Sequence, residues 1–118
     1  MKVLIELYDK DTLKNIVAPL TLRPDRVVYL YDNGMDDRDA FRSLVTCFQK
    51  NMPNIVVEDI PVDISSVKTL RAAVCRVAER YEAANCTLEL TGGSELMMIG
   101  AYQAGLEMGI RMVHTDLV

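Results

Sequence analysis

The stretch that most constrains the fold is Leu88-Glu89-Leu90-Thr91-Gly92-Gly93-Ser94-Glu95-Leu96-Met97-Met98. A short apolar run meets a threonine and two glycines, then opens straight into a long apolar segment. This reads as strand, tight turn and helix N-terminus. Glycine permits a sharp turn and the close approach of another group. The first turn of a helix has N–H groups without intrahelical partners, and these favour an anion. Thr91 and Ser94 both qualify as N-cap residues. A capping box at Thr91 is not expected, because Ser94 rather than Glu or Gln stands three residues later. On its own a TGG turn often does no more than reverse the chain.

Strands and helices alternate along the remainder. Lys2 to Tyr8 is dense in Val, Leu and Ile, as a strand buried on both faces should be. After the polar turn Asp9-Lys10-Asp11-Thr12, Leu13, Ile16, Val17 and Leu20 recur at helical spacing. Pro19 falls inside that pattern and is expected to shorten or kink the helix. Arg23-Pro24-Asp25 is a turn, Arg26 to Tyr31 a second strand, and Asp32-Asn33-Gly34 a strong turn signal. Phe41, Leu44, Val45 and Phe48 form one face of a helix starting near Asp36 or Asp37, where acidic residues suit the dipole. Asn51-Met52-Pro53-Asn54 ends it. Ile55 to Val62 is a third strand. Asp63, Ser65 or Ser66 then caps a helix carrying Val67, Leu70, Val74, Val77, Ala78 and Tyr81. Ala83-Ala84-Asn85 ends that helix, and Cys86 to Leu90 forms the fourth strand. A fourth helix runs from about Ser94 to Met108, and Ile110 to His114 is the fifth strand.

Such alternation implies an α/β, three-layer Rossmann-like sandwich of five mainly parallel strands, with right-handed crossovers and helices on both faces. The expected strand order is about 3-2-1-4-5. Sheets of this kind bind ligands beyond the carboxyl ends of the strands, where the order reverses. Here that point falls between strands one and four, setting Tyr8-Asp9-Lys10 against Thr91-Gly92-Gly93-Ser94. The fourth helix is apolar nearly all round, whereas a helix covering a sheet should show a polar outer face. Such a helix is either tightly packed in a compact core or meets a second copy of the chain or a further domain with its outer side, and the second is the expectation here. At 118 residues the whole sequence suits one domain.

Composition removes several function classes. A net charge of −4 argues against a broad nucleic-acid face, and no sequence-specific DNA binding is expected. A local anion pocket remains compatible with it. There is no apolar run of about 18 residues, so no membrane span is expected. The N-terminus lacks the pattern of a signal peptide. Cys47, Cys75 and Cys86 have no CxxC spacing and read as reduced, buried thiols of a cytoplasmic protein. GxGxxG, a Walker lysine and HExxH are all missing. No catalytic residue, cofactor or metal is assigned. Asp9, Asp11 and Asp32 suit helix caps as well as they suit a metal, and His114 reads as a strand-end residue.

The candidate ligand contacts each have a plainer alternative. Lys10 and Lys14 flank the first helix N-terminus, either to meet phosphate or merely to be solvated. Tyr8 stacks on a base or packs in the sheet. Asn33 bonds a ligand or only forms its turn, and Glu95 contacts a ligand hydroxyl or serves the helix dipole.

With these residues assembled, the sequence resembles the CRISPR-associated Rossmann-fold sensor domains, or CARF domains. It is most similar to the subgroup usually joined to a restriction-endonuclease-like nuclease. The likeness covers nearly the whole chain. It rests on Glu6-Leu7-Tyr8-Asp9-Lys10-Asp11-Thr12, on Pro24-Asp25-Arg26-Val27-Val28-Tyr29-Leu30 and above all on Leu90-Thr91-Gly92-Gly93-Ser94-Glu95-Leu96-Met97. The resemblance implies a homodimer that binds a cyclic oligoadenylate, most concretely cyclic tetra-adenylate, to control an effector in type III CRISPR antiviral defence. A two-fold ring suits a site built from two copies of one crevice. The implied contacts are Tyr8, Asp9, Lys10, Thr12, Asn33, Thr91, Gly92, Gly93, Ser94 and Glu95, with the N–H groups of Gly92, Gly93 and Ser94 facing ring phosphates or riboses. Residues 1–118 would be a single ligand-binding domain at the start of a longer protein with a C-terminal effector. The alternatives are a ring nuclease that slowly cleaves the ring in the same pocket, or a dimerisation scaffold with no ligand.

Overall fold

The computed structural model describes residues 1–35 and 37–116. In order they form β1 (Val3–Leu7), α1 (Thr12–Leu22), β2 (Arg26–Asp32), α2 (Arg38–Asn51), β3 (Val56–Val62), α3 (Val67–Tyr81), a 3₁₀ turn (Ala83–Asn85), β4 (Cys86–Glu89), α4 (Glu95–Met108) and β5 (Arg111–Val113). The strands make one parallel sheet in the order β3-β2-β1-β4-β5, as the alternation predicts.

Period-two alternation divides the strands between two cores. Val3, Ile5, Leu7, Val28, Leu30 and Leu88 face α3 and α4 and pack on Leu70, Val74, Met97 and Ala101. Tyr8, Val27, Tyr29 and Tyr31 face the other way, toward Phe41, Leu44 and Phe48 of α2, with Ile16 and Leu20 of α1 alongside. Right-handed crossovers require this arrangement. Steps from β1 to β2 to β3 put α1 and α2 on one face, and the return to β4 and β5 puts α3 and α4 on the other. The two helices of the second face are in intimate contact. A Cβ built on Gly100 would lie 2.7 Å from Leu70 Cβ and 2.8 Å from the Val67 carbonyl oxygen.

Element ends lie within a residue or two of the sequence reading, but Pro19 does not shorten its helix. α1 runs through it to Leu22, ending on Arg23 in the left-handed region at φ 48°. Proline has no N–H for the carbonyl four residues back, which is that of Asn15. The Tyr29 hydroxyl from β2 donates to that carbonyl at 2.8 Å and takes the missing partner's place. Tyr29→Phe would leave the carbonyl orphaned in a buried site. It is expected to cost about 1–3 kcal/mol, read as a lower urea midpoint at unchanged slope.

The cysteines follow the expectation of burial only in part. Cys86 is buried and Cys75 half-buried, but Cys47 is exposed. It lies beside Phe48 on α2, off the Phe41–Leu44–Phe48 stripe that meets the sheet. Among the described residues no helix is long and apolar enough to cross a membrane. The apolar outer side of α4 is present as expected: Leu96, Met98, Ile99, Tyr102 and Leu106 are all exposed.

Candidate ligand site at the carboxyl ends of β1 and β4

Two turns meet where the strand order reverses. After β1 the chain enters α1 through 8–11, and after β4 it enters α4 through 90–94. Asp9 joins them. One carboxylate oxygen accepts the Asp11 N–H at 2.8 Å, and the other accepts the Gly93 N–H at 2.9 Å. Asn15, buried in the first turns of α1, clamps the Asp9 backbone from both sides. Its Oδ1 accepts the Asp9 N–H at 2.8 Å, and its Nδ2 donates to the Asp9 carbonyl at 2.6 Å. Lys14 Nζ stands 4.0 Å from Asp9 Oδ2 and brings a paired cation to this junction.

The glycines answer to crowding and backbone angle. Gly92 presses on the end of β1, where a Cβ would sit 2.7 Å from the Leu7 carbonyl oxygen. Gly93 has φ +83°, and a Cβ there would also lie 2.8 Å from Leu7 Cβ. Close approach at this turn is thus made by β1 itself.

Ser94 is the N-cap of α4: its Oγ accepts the Met97 N–H at 3.2 Å. The Met97 sulfur returns the contact to the Ser94 N–H at 3.5 Å, a capping box with a weak thioether acceptor that the usual Glu/Gln pattern does not include. With its oxygen engaged as acceptor, the Ser94 hydroxyl keeps a proton to donate. Thr91 is turned inward. Its hydroxyl makes a short hydrogen bond to Glu89 Oε1, and that oxygen also accepts the Thr91 N–H at 2.9 Å. The Thr115 N–H donates to Thr91 Oγ1 at 2.7 Å, stitching the segment after β5 to the turn.

The remaining candidates divide by position. Lys10, Thr12 and Glu95 are exposed around the junction, and Asn33 is exposed at the end of β2, its N–H donating to the Val62 carbonyl at 3.0 Å. Tyr8 is buried. Its ring lies 4.7 Å from that of Tyr31, centroid to centroid, and its hydroxyl donates to Asp37 at 3.3 Å. Burial and the neighbouring Asp37 carboxylate push the Tyr8 hydroxyl well above the ordinary tyrosine range. The Tyr31 hydroxyl reaches the same Asp37, and Arg38 lies over the Tyr31 ring while pairing with Asp59 at 2.9 Å. The carboxylate of Asp37, the N-cap residue of α2, therefore seats the loop after β2 on two tyrosines. Asp36, the other expected helix start, lies outside the described residues.

Sequence reasoning gave Asp37 only as a helix start and missed Asn15, Glu6 and Glu89. A glutamate inside an otherwise apolar central strand was the one available signal for the last two. Among the described residues, no group of three or more His, Cys, Asp or Glu side chains is placed to hold a metal.

No family model matches the sequence, and no curated protein matches it. Solved structures do. Can2 from Sulfobacillus thermosulfidooxidans, in complex with cyclic tetra-adenylate, superposes with TM-score 0.84 at 16% identity over 98% of this chain and 32% of its own. Protein VC1899 from Vibrio cholerae gives 0.80 at 14% over 98% and 30%, respectively. Csm6 from Enterococcus italicus, bound to cyclic hexa-2'-fluoro-hexa-dAMP, gives 0.73 at 16% over 98% and 33%. The chain thus spans about a third of the length of each of these three proteins, and shares with that third a five-stranded Rossmann-like fold.

Proposed function

We propose that this chain is a CARF-type sensor domain that binds a cyclic oligoadenylate, in the first instance cyclic tetra-adenylate, across a homodimer. The single observation that carries the reading is the agreement of nearly the whole chain with domains of two proteins solved with cyclic oligonucleotides. Its crevice adds the right chemistry. Lys10, Lys14, the Ser94 hydroxyl and the N-terminus of α4 gather donors and positive potential where ring phosphates would lie. Gly93 N–H is held by Asp9 in the free chain, so a phosphate would contact that amide only by displacing the carboxylate. The outer face of α4 supplies the dimer contact, through an apolar groove of about 590 Å³ lined by Leu90, Met98, Ile99, Tyr102, Gln103 and Leu106. Its position next to the Leu90–Ser94 turn would bring two crevices together on one two-fold axis. An effector, of the restriction-endonuclease-like kind or another, would read the relative orientation that the ring selects. Such a protein would work in the cytoplasm.

Calorimetric titration with cyclic tetra-adenylate tests this, with cyclic hexa-adenylate and linear tetra-adenylate alongside. One ring per two chains is the expected result. A folded chain that gives no heat with any ring overturns the reading and leaves a scaffold. Linear products after long incubation with excess protein would make the domain a ring nuclease.

A further inference from the structure

Glu6 and Glu89 are direct register partners on β1 and β4, and both are completely buried. Three of their four carboxyl oxygens, both of Glu6 and Oε2 of Glu89, have no hydrogen-bond partner among the described residues. The fourth, Glu89 Oε1, accepts the Thr91 N–H, the Thr91 hydroxyl and, at 3.3 Å, the Thr115 N–H. Orphaned buried carboxyl oxygens are costly. One proton on the pair would satisfy two of them at once, as a carboxylic acid donating to a carboxylate. Donors converge on Glu89 and none reaches Glu6, so Glu6 is the partner that holds the proton.

We propose that Glu6 and Glu89 form a carboxylic acid–carboxylate pair sharing one proton, and that this proton sets how firmly the Thr91 turn is held. The chain of neighbours is continuous: Glu6 lies beside Glu89 in register, Glu89 Oε1 holds Thr91 and Thr115, and Thr91 leads into the Gly92–Gly93 bend. Loss of the proton places two negative charges side by side in the sheet, and Glu89 swings from Glu6 at the expense of its hold on Thr91. The pair stands on the fold alone and needs no ligand to be tested.

Among the described residues around the pair, no cation is placed to stabilise a second charge. Tyr29 on β2 is the other register partner of Glu6, and its hydroxyl is engaged by the Asn15 carbonyl. Val113 on β5 is the other partner of Glu89. On the α1 side, Asn15 and Ala18 are buried, and Lys14 pairs with Asp9. Arg111, His114 and Asp116 of β5 and the segment after it are exposed. Burial first, then Glu89, hold the Glu6 carboxyl well above the ordinary glutamate range, in keeping with this arrangement.

A raised acid pKa in the folded state means that folding binds a proton. Stability is then full at low pH and falls as pH rises from the ordinary glutamate value through that of Glu6. Within that window the folding equilibrium constant is expected to drop up to about tenfold per pH unit. The decisive measurement is carbon NMR of the glutamate side-chain carboxyls, with amide spectra, from about pH 4 to about pH 9. Glu6 should titrate above the exposed glutamates, and the Thr91 and Thr115 amides should move with the same midpoint. In Glu6→Gln the side-chain amide donates to Glu89 without titrating, so the pH-dependent amide shifts and the stability slope should both vanish. Should Glu6→Gln fail to fold, the native chain's own carboxyl and amide titrations still decide. Glu6 titrating with the exposed glutamates, or amides that ignore its midpoint, would overturn the proposal.

Discussion

Gly100→Leu is expected to leave the chain without a cooperative unfolding transition, and Gly100→Ala to lower its stability by about 1–2 kcal/mol. Alanine ordinarily improves a helix interior over glycine by about 1 kcal/mol. At this position the added carbon meets Leu70 Cβ at 2.7 Å and the Val67 carbonyl at 2.8 Å. Neither atom is the free end of a side chain, so relief requires α4 to move away from α3. Overpacking of this kind costs about 1–3 kcal/mol for small additions and outweighs the helical gain. The larger side chain would force the helices apart over the whole Leu70–Met97–Ala101 contact, which a domain of about 5–15 kcal/mol stability does not tolerate. Urea unfolding followed by circular dichroism checks both variants. A Gly100→Ala chain as stable as the parent would show that α4 slides on α3 at little cost.

The second large effect belongs to Gly93→Ala. Its φ of +83° is a left-handed conformation that costs an L-residue about 1–2 kcal/mol, and its Cβ would also meet Leu7 Cβ at 2.8 Å. Together these amount to about 2–5 kcal/mol. Binding should suffer beyond stability, because the bend would shift and break the Asp9 link between the turns. Ring affinity, corrected to the folded fraction, is expected to fall at least about tenfold, a loss of about 1.4 kcal/mol. Val77→Ala supplies the matched control: a buried truncation on α3, beside Glu58 and Ile60 of the edge strand β3, that weakens the fold and leaves the turns alone. Equal losses of affinity in the two variants would mean that the TGG bend serves the fold only.

Much of this architecture is legible in the sequence because it is local. The Leu88–Met98 segment announces strand, bend and helix through residues that act on their immediate neighbours. The Phe41–Leu44–Phe48 and Leu70–Val74–Val77 stripes name their own helices by spacing. What was not legible depends on partners far along the chain. The continuation of α1 through Pro19 hangs on a hydroxyl at Tyr29. Asp9 suggests a helix cap or a metal ligand until its bond to Gly93, across 84 positions, is visible. The Glu6–Glu89 pair hides for the same reason: each is a lone glutamate in an apolar strand until strand register brings the two together. At the candidate site, the turns and the Ser94 cap could be foreseen, while the inward orientation of Thr91 toward Glu89 could not.

The order of the strands also has a consequence for birth on the ribosome. β1 sits at the centre of the sheet, yet its β4 neighbour and the covering of its second face come from the second half of the chain. While only the segment through β3 has emerged, Tyr8, Val27, Tyr29 and Tyr31 can already be sheltered by α2, but Val3, Ile5, Leu7, Val28 and Leu30 have nothing over them. The half-made product is a three-stranded sheet with one greasy face and an open central edge, the kind of surface that attracts its own siblings on a polysome. Rapid delivery of α3, or a chaperone waiting at the exit tunnel, is therefore a requirement written into this topology, and crowding of nascent chains is where expression of the domain would fail first.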